Sequence, residues 1–437
     1  MSIFIGLRRE DKNKWERRTP LIPAHVRELL KKYPINIRIQ PSSVRIFKDE
    51  DFLREGAEVQ EDLTPCPVVL AIKEIPLSFF QKNKVYLFFS HTIKGQSKNM
   101  PFLKKMMEMG CTLIDYERII DEKGQRFLFF GRQAGQAGMI DTLWCLGQRL
   151  QEEGRKNPFT RAKQAYEYGS LVEAKEEIEN IGWSLYKEGM ERSLVPLVIG
   201  ITGYGNVSTG AQEILDLLPF EEIEPPQLHE FMKKKNFSSY RVYKLVFKEE
   251  HMVQPVSPDV SFNLQDYYQN PHKYASVGSR YLPYLSVLVH CAYWSPQYPR
   301  FVRKKSLRNI WRWASSPKLK VITDISCDVH GSVECNSGVT TPDDPVYIYD
   351  PLQEEVRQGI QGRGVAVMAV DNLPAELPLE SSVFFSSRMK SIIPYLSKVD
   401  FSKDFHQWSL PFFLKKAVIL YKGKLTPDYR YLEDFVK

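Results

Sequence analysis

Two short stretches near the start of the 437-residue chain carry side chains suited to moving protons. Lys73 follows the apolar run 68–72, with Glu74 and Pro76 after it, and His91 follows the apolar run 85–89. Unbroken apolar runs of this length read as strands buried on both faces. A lysine at the carboxyl end of such a strand is desolvated, which lowers its pKa and suits it to act as a base. Glu16 and Glu74 oppose or tune that shift. A histidine delivered to the same edge can exchange a proton near neutral pH. Arg18, and Arg126 beyond Tyr116 and Glu117, present planar forks that match carboxylates. Taken singly, the histidine and the arginines fit a structural hydrogen bond or a surface ion pair; two strand ends bringing Lys73 and His91 to one edge favour an acid–base site.

A different chemistry is written in Gly203-Tyr-Gly205-Asn206-Val207-Ser208-Thr-Gly210. In a G-x-G-x-x-G turn, glycine allows the tight bend and the close approach of backbone to a pyrophosphate. The following helix then aims its N–H groups at the phosphates. Gly203 and Gly205 match, and Ser208 takes the third position. An apolar run at 194–201 precedes the turn and a helical pattern at 208–218 follows it. Glu224 ends the strand-like 221–224, at the spacing where an acid accepts ribose hydroxyls. That acid favours NAD, while Lys233, Lys234, Lys235 and Arg241 could take the 2′-phosphate of NADP. Both cofactors stay open, and the acid–base site belongs beside a nicotinamide.

The elements that must hold these groups alternate. Strand-like Ile3–Leu7 and Ile35–Ile39 flank a helical Pro23–Lys32, and buried-strand patterns recur at 68–72, 85–89 and 111–115. A long helical pattern occupies 135–150, and further buried strands are expected at 285–291, 321–325 and 365–370. Alternation of this kind implies an α/β fold with parallel sheets. The order predicts two Rossmann-like domains with a cleft between them. Residues 1–135 plus 375–437 form a discontinuous catalytic domain. Residues 136–374 form the dinucleotide domain, interrupted by an insertion near 238–269.

Bulk properties narrow the class. The chain is 43% hydrophobic and 26% charged, with 60 basic and 53 acidic residues for a net charge of +7. These charges are interspersed, unlike the one-sided patch of a nucleic-acid binder. The six cysteines show no C-x-x-C pair and no zinc spacing, which implies reduced thiols and no metal site. No apolar run approaches the ~18 residues that a membrane helix needs. With strand-like residues at the very start and no signal peptide ahead of them, a cytoplasmic enzyme is expected. Oligomeric state is not legible.

The chain resembles lysine–2-oxoglutarate reductase, the lysine-forming saccharopine dehydrogenase family. The likeness extends to the N-terminal half of the bifunctional α-aminoadipic semialdehyde synthases and, more distantly, to alanine dehydrogenase. It is carried by Arg8-Arg-Glu-Asp11, Trp15-Glu-Arg-Arg18, Phe88-Phe-Ser-His-Thr-Ile-Lys94, Leu113-Ile-Asp-Tyr-Glu117 and Ala134-Gly-Gln-Ala-Gly-Met139. It continues through Gly203 to Ala211, Asp324-Ile-Ser326 and Val370-Asp-Asn-Leu-Pro374. The resemblance implies reductive condensation of lysine with 2-oxoglutarate to saccharopine, or the reverse, using NAD or NADP. It assigns Lys73 and His91 as the acid–base pair. Arg18 and Arg126 would hold carboxylates, with Glu16, Glu74 and Glu117 gripping amino groups. Gly203, Gly205, Asn206, Val207, Ser208, Glu224, Cys291, Tyr293 and Asp371 would bind the dinucleotide. A separate glutamate-forming saccharopine dehydrogenase would be the partner activity. Gln133, where the family has an aromatic residue, and Arg132 before it leave open a related amino-acid dehydrogenase with another amine or keto acid. The alternative of another class is a nucleotide-binding regulatory protein without catalysis.

Overall fold

The computed structural model describes residues 3–121, 124–314 and 316–436. It divides into two compact units, Met1–Phe130 with Pro378–Lys437, and Gly131–Leu377. In the first unit, β1 (Ile3–Leu7), β2 (Ile35–Ile39), β3 (Glu58–Val59), β4 (Val68–Leu70), β5 (Val85–Phe88) and β6 (Thr112–Asp115) lie parallel in the order 6-5-4-1-2-3. Two antiparallel C-terminal strands, Val418–Tyr421 and Lys424–Leu425, extend the sheet beyond β6. Every residue of β4, β5 and β6 is buried, which explains the unbroken apolar character of β4 and β5; β6 buries Leu113 and Ile114 between Thr112 and Asp115. Because these strands are parallel, the chain leaves all three at the same edge of the sheet. The helix Pro23–Lys32 starts on its proline and buries Val26 and Leu29. The helix Pro378–Leu396 is pinned to the segment that leads into the helix Pro23–Lys32, where Ser382 and Ser386 accept the Thr19 and Ile22 amides at 3.1 and 2.9 Å.

The second unit holds β7 (Val198–Thr202), β8 (Phe220–Glu222), β9 (Val242–Phe247), a separate small pair β10 (Val253–Pro255) and β11 (Tyr274–Ser276), β12 (Val287–His290), β13 (Val321–Asp324), β14 (Val346–Asp350), β15 (Glu355–Gln358) and β16 (Val365–Met368). The large sheet runs 15-14-16-13-12-7-9-8, with β14 and β15 antiparallel. One sequence expectation is corrected here. Residues 238–269 are not wholly an insertion, because they contain β9, the strand directly beside β7. Its pattern is masked by Lys244, a lysine in an otherwise apolar run. Lys244 is buried and satisfied by Asp216 at 2.9 Å and Glu222 at 3.1 Å.

The helix Gly131–Glu152 crosses the helix Asn206–Leu215 with backbones in contact. A Cβ on Gly135 would lie 1.8 Å from the Val207 carbonyl oxygen, and one on Gly210 would lie 2.0 Å from that of Arg132. Bare glycines on both helices are what seat the glycine-turn helix in this unit. No helix among the described residues is long and apolar enough to cross a membrane.

Candidate active site

At the carboxyl edge of the first unit's sheet, the residues after β4 and β5 carry the proton-handling groups. His91 is held at φ +50° and turns its Nδ1 to Glu74 Oε1 at 2.7 Å. Its carbonyl accepts Asn99 Nδ2 at 2.9 Å, and its ring stacks on Phe89 at 6.3 Å. Burial opposes ionisation of Glu74, but the His91 hydrogen bond and charge, with Lys12 at 3.2 Å, hold its carboxyl well below the usual range. Burial, reinforced by the charges of Arg18 and Lys12, pulls the Lys73 ammonium down to about 8, with Glu16 and Glu74 pulling the other way. Glu74 thus acts electrostatically on Lys73 and is itself held ionised by His91, a coupling that suits a proton-transfer site.

Two carboxyls to which the sequence alone assigns no role build this edge. Glu10, buried, accepts the backbone amides of Ile72 at 2.6 Å and Lys73 at 3.0 Å. Burial and the neighbouring Glu16 push its carboxyl up to about 7. It fixes the turn that aims Lys73; the only signal in the sequence is its place in Arg8-Arg-Glu-Asp11. Asp115, at the end of β6, takes the Ser90 amide at 3.3 Å and the Ser90 hydroxyl, locking the residue before His91. Burial raises Asp115 to about 6.

The expected carboxylate clamp is differently arranged. Arg18 and Glu16 are fully buried and bind each other twice, Nε to Oε1 at 2.7 Å and Nη2 to Oε2 at 2.6 Å. The Arg18 guanidinium also lies 4.4 Å from the Phe130 ring centroid. In this conformation the arginine fork is engaged by the very glutamate expected to grip an amine. Glu117 pairs with Arg126 at 3.3 Å, the arginine being about half exposed.

In the second unit the glycine turn has the geometry of a phosphate cradle. Gly203 takes φ +82°, and a Cβ there would press on Ala292 at 3.2 Å. Gly205 caps the helix Asn206–Leu215, and nothing lies within 4 Å of where its Cβ would be. The open face of Gly205 and the first N–H groups of the helix at Asn206, Val207 and Ser208 fit a pyrophosphate. Ser208 itself is buried and accepts Gln212 Nε2 at 3.0 Å. Cys291 follows β12 and donates its amide to Thr202 at 3.2 Å, while Tyr293 is largely exposed. Asp371 lies exposed beyond β16, its amide on Thr340 at 3.0 Å.

Glu224 needs correction. It follows β8, the edge strand, and β9 intervenes between β8 and β7. Two strand spacings, about 10 Å, separate it laterally from the turn strand. Arg241 precedes β9 and pairs with Glu221 at 3.2 Å, so it lies at the opposite end of the strand from the turn; Lys233 pairs with Glu230 at 2.7 Å. Arg132 is likewise engaged, by Glu213 at 2.8 Å, whereas Gln133 is buried with its Oε1 lacking a hydrogen-bond partner. Among the described residues no group of His, Cys, Asp and Glu could hold a metal ion.

Residues 6–137 match the family model of the alanine dehydrogenase/PNT N-terminal domain. Over 98% of its length the chain is 38% identical to α-aminoadipic semialdehyde synthase of Arabidopsis thaliana, covering 41% of that protein. It is 33% identical, again over 98%, to the mitochondrial α-aminoadipic semialdehyde synthase of Mus musculus, covering 47%. The chain thus spans less than half the length of these curated relatives. Saccharopine dehydrogenase (NAD(+), L-lysine-forming) of Emericella nidulans is 25% identical, with 97% of both proteins covered. A solved L-alanine dehydrogenase shares the fold, with a TM-score of 0.63 at 16% identity over the whole of both chains.

Proposed function

Because the chain is a homologue of the α-aminoadipic semialdehyde synthases and of the L-lysine-forming saccharopine dehydrogenases, we propose that it joins L-lysine and 2-oxoglutarate reductively into saccharopine, or runs the reverse. The observation that carries this is the pairing of a desolvated Lys73 with a His91–Glu74 hydrogen bond on adjacent strand ends.

Lys73, neutral above about pH 8, takes a proton from the ε-ammonium of lysine, and the freed amine attacks the keto carbon. His91, its Nδ1 held by Glu74, uses Nε2 to protonate the carbinolamine hydroxyl, which leaves as water and gives an imine. Bound NADH or NADPH supplies the hydride to the imine carbon. Glu10 and Asp115 act as positioning residues, holding the turns from which Lys73 and His91 project. Arg126, the more accessible of the two arginines, takes a substrate carboxylate; Arg18 does so only by sharing its fork with Glu16. Glu117 answers the charge of an amino group. Gly203, Gly205, Asn206, Val207, Ser208, Cys291, Tyr293 and Asp371 line the dinucleotide. A glutamate-forming saccharopine dehydrogenase activity would exchange saccharopine with this site, and the six free cysteines suit a reducing cytoplasm.

The buried, unpartnered Gln133 Oε1 favours one second reading, a related amine or keto acid in place of lysine or 2-oxoglutarate. Oxidation of reduced nicotinamide measured across a panel of amines and keto acids separates the two. A strict requirement for lysine and 2-oxoglutarate supports the proposal; turnover only with another pair supports the second reading.

A further inference from the structure

The turn that carries His91 is covered by a segment more than 300 residues away in sequence. Residues 91–99 run from His91 to Asn99, whose Nδ2 reaches back to the His91 carbonyl at 2.9 Å, and then enter the helix Met100–Glu108. Within the turn, the Gly95 amide donates to the Thr92 carbonyl at 2.8 Å and the Asn99 amide to the Gln96 carbonyl at 2.9 Å. Two side chains of the segment 427–436 close on its middle. The Tyr431 hydroxyl donates to the Ile93 carbonyl at 2.7 Å. Phe435 lies against Gly95, which takes φ +65° and where a Cβ would come within 2.6 Å of the Phe435 ring atom Cε1. A bare glycine there permits both the backbone conformation and the seat for the ring.

The covering segment is itself anchored. The Thr426 hydroxyl donates to the Val418 carbonyl at 2.7 Å, and the Tyr429 hydroxyl donates to the Lys416 carbonyl at 2.7 Å while accepting Arg118 Nε at 2.9 Å. Leu432 is fully buried in the core of the unit. Arg118 stands three residues after Asp115, whose charge bears on it, and Asp115 is the carboxylate that holds Ser90. One segment thus braces the turn after His91 directly and stands behind the residue before it.

We propose that Tyr431 and Phe435 are positioning residues for proton transfer: they hold the turn that keeps His91 in its left-handed backbone conformation, with Nδ1 on Glu74. This rests on the proposed function for the reaction in which His91 acts, and goes beyond it by making the segment 427–436 part of the catalytic unit. A non-glycine residue at φ +50° persists only where its surroundings enforce it. Asn99 restrains the His91 carbonyl from the far end of the turn, so its grip is as firm as the residues between. Ile93 and Gly95 are those residues, and Tyr431 and Phe435 fix them. Releasing them lets the His91 backbone relax and swings the imidazole off Glu74. A displacement of about 1 Å at a reacting group can cost about a hundredfold in rate.

The test follows hydrogen exchange of the amides of residues 91–99, together with steady-state oxidation of reduced nicotinamide by lysine and 2-oxoglutarate, in the full chain and in Tyr431→Phe and Phe435→Ala. Both variants should exchange faster across 91–99 and lose kcat, at least about fivefold for the single hydrogen bond of Tyr431 and more for Phe435→Ala. KM for lysine and 2-oxoglutarate, nucleotide affinity and the rising limb of kcat/KM through about pH 8 set by Lys73 should not move, because they belong to other groups. Phe435→Leu, which refills the contact with Gly95, should recover much of the loss. Unchanged exchange in the folded variants overturns the inference. Full kcat alongside faster exchange also overturns it and leaves the proposed reaction standing, as does a loss spread over KM and nucleotide affinity. Absence of turnover in the wild-type chain overturns the proposed reaction, and exchange then decides whether the segment holds the turn. Should Phe435→Ala not fold, Tyr431→Phe decides, since it removes one hydroxyl from a half-exposed side chain.

Discussion

His91 gives its Nδ1 to the Glu74 carboxylate at 2.7 Å from a backbone held in the left-handed region. A non-glycine residue at φ +50° is sterically costly, and such conformations persist where surrounding structure enforces them. Here the enforcement is visible. Asn99 holds the His91 carbonyl, and Asp115 holds Ser90 just before it. With Nδ1 occupied, Nε2 is the ring nitrogen left to work, and Glu74 stabilises the imidazolium once it forms.

Replacing the ring should therefore cost proton transfer and leave nucleotide binding alone. His91→Gln should lower kcat by about 10²–10⁴-fold with little change in nucleotide affinity. Glu74→Gln should cost less, since it removes the charge behind the proton but keeps a hydrogen-bonding partner. Steady-state kinetics with a parallel nucleotide titration checks both; full activity in His91→Gln contradicts the assignment.

In the proposed reaction Lys73 works as its neutral amine. Its pKa is lowered to about 8, chiefly by burial, so kcat/KM should climb as pH rises through about 8 and level off above. Lys73→Met should remove that limb and lower the rate by about 10²-fold or more. A rising limb that survives in Lys73→Met would assign it to another group.

Gly135 and Gly210 allow two helices to touch. Gly135→Ala drives a methyl group into the Val207 carbonyl oxygen at 1.8 Å, so helix or turn must shift. Overpacking of this kind costs about 1–3 kcal/mol, or more where backbone is hit. Tm should fall, and nucleotide binding should weaken with it, because the displaced helix is the one that follows Gly205. An unchanged Tm contradicts the crossing.

A buried carboxyl pair makes stability depend on pH. Asp141 accepts the Ala165 amide at 2.7 Å, Glu376 accepts the Tyr166 amide at 3.3 Å, and the charge of each carboxyl bears on the other. Burial, with the nearby charge of Glu167, pushes Asp141 up to about 7 and raises Glu376 well above its usual range. Folded values above unfolded ones of about 4 mean that this stabilisation is complete below about pH 4 and is lost as pH rises through about 7. Glu376→Gln does not titrate, so its Tm should gain on the wild type's across that window. A Tm difference that stays flat with pH contradicts the raised carboxyls.

Much of the fold is legible because buried parallel strands spell themselves out. Val68–Leu70 and Val85–Phe88 lie within unbroken apolar runs, and Thr112–Asp115, Val198–Thr202 and Val287–His290 are apolar but for a polar residue at one or both ends. Val242–Phe247 is not legible, because Lys244 interrupts it and only the folded neighbours Asp216 and Glu222 make its burial tolerable. Without that strand, the expected ribose acid moves to Glu224, since the next recognisable strand then stands beside β7.

The proton-handling side chains can be named from strand ends, whereas their partners cannot. Glu10 is 62 residues from Ile72, and Asp115 is 25 from Ser90, so only the sheet brings these pairs together. Spacing alone likewise does not show that Arg18 and Glu16 bind each other, because two residues so close in sequence can as well point apart.

The most direct test of the central claim follows the absorbance of reduced nicotinamide in the presence of the chain, lysine and 2-oxoglutarate, with each substrate omitted in turn. Oxidation that requires both substrates, and that falls at least about 10²-fold in Lys73→Met and in His91→Gln, is the predicted result. Folded chain that binds nucleotide yet oxidises none with lysine and 2-oxoglutarate would contradict it.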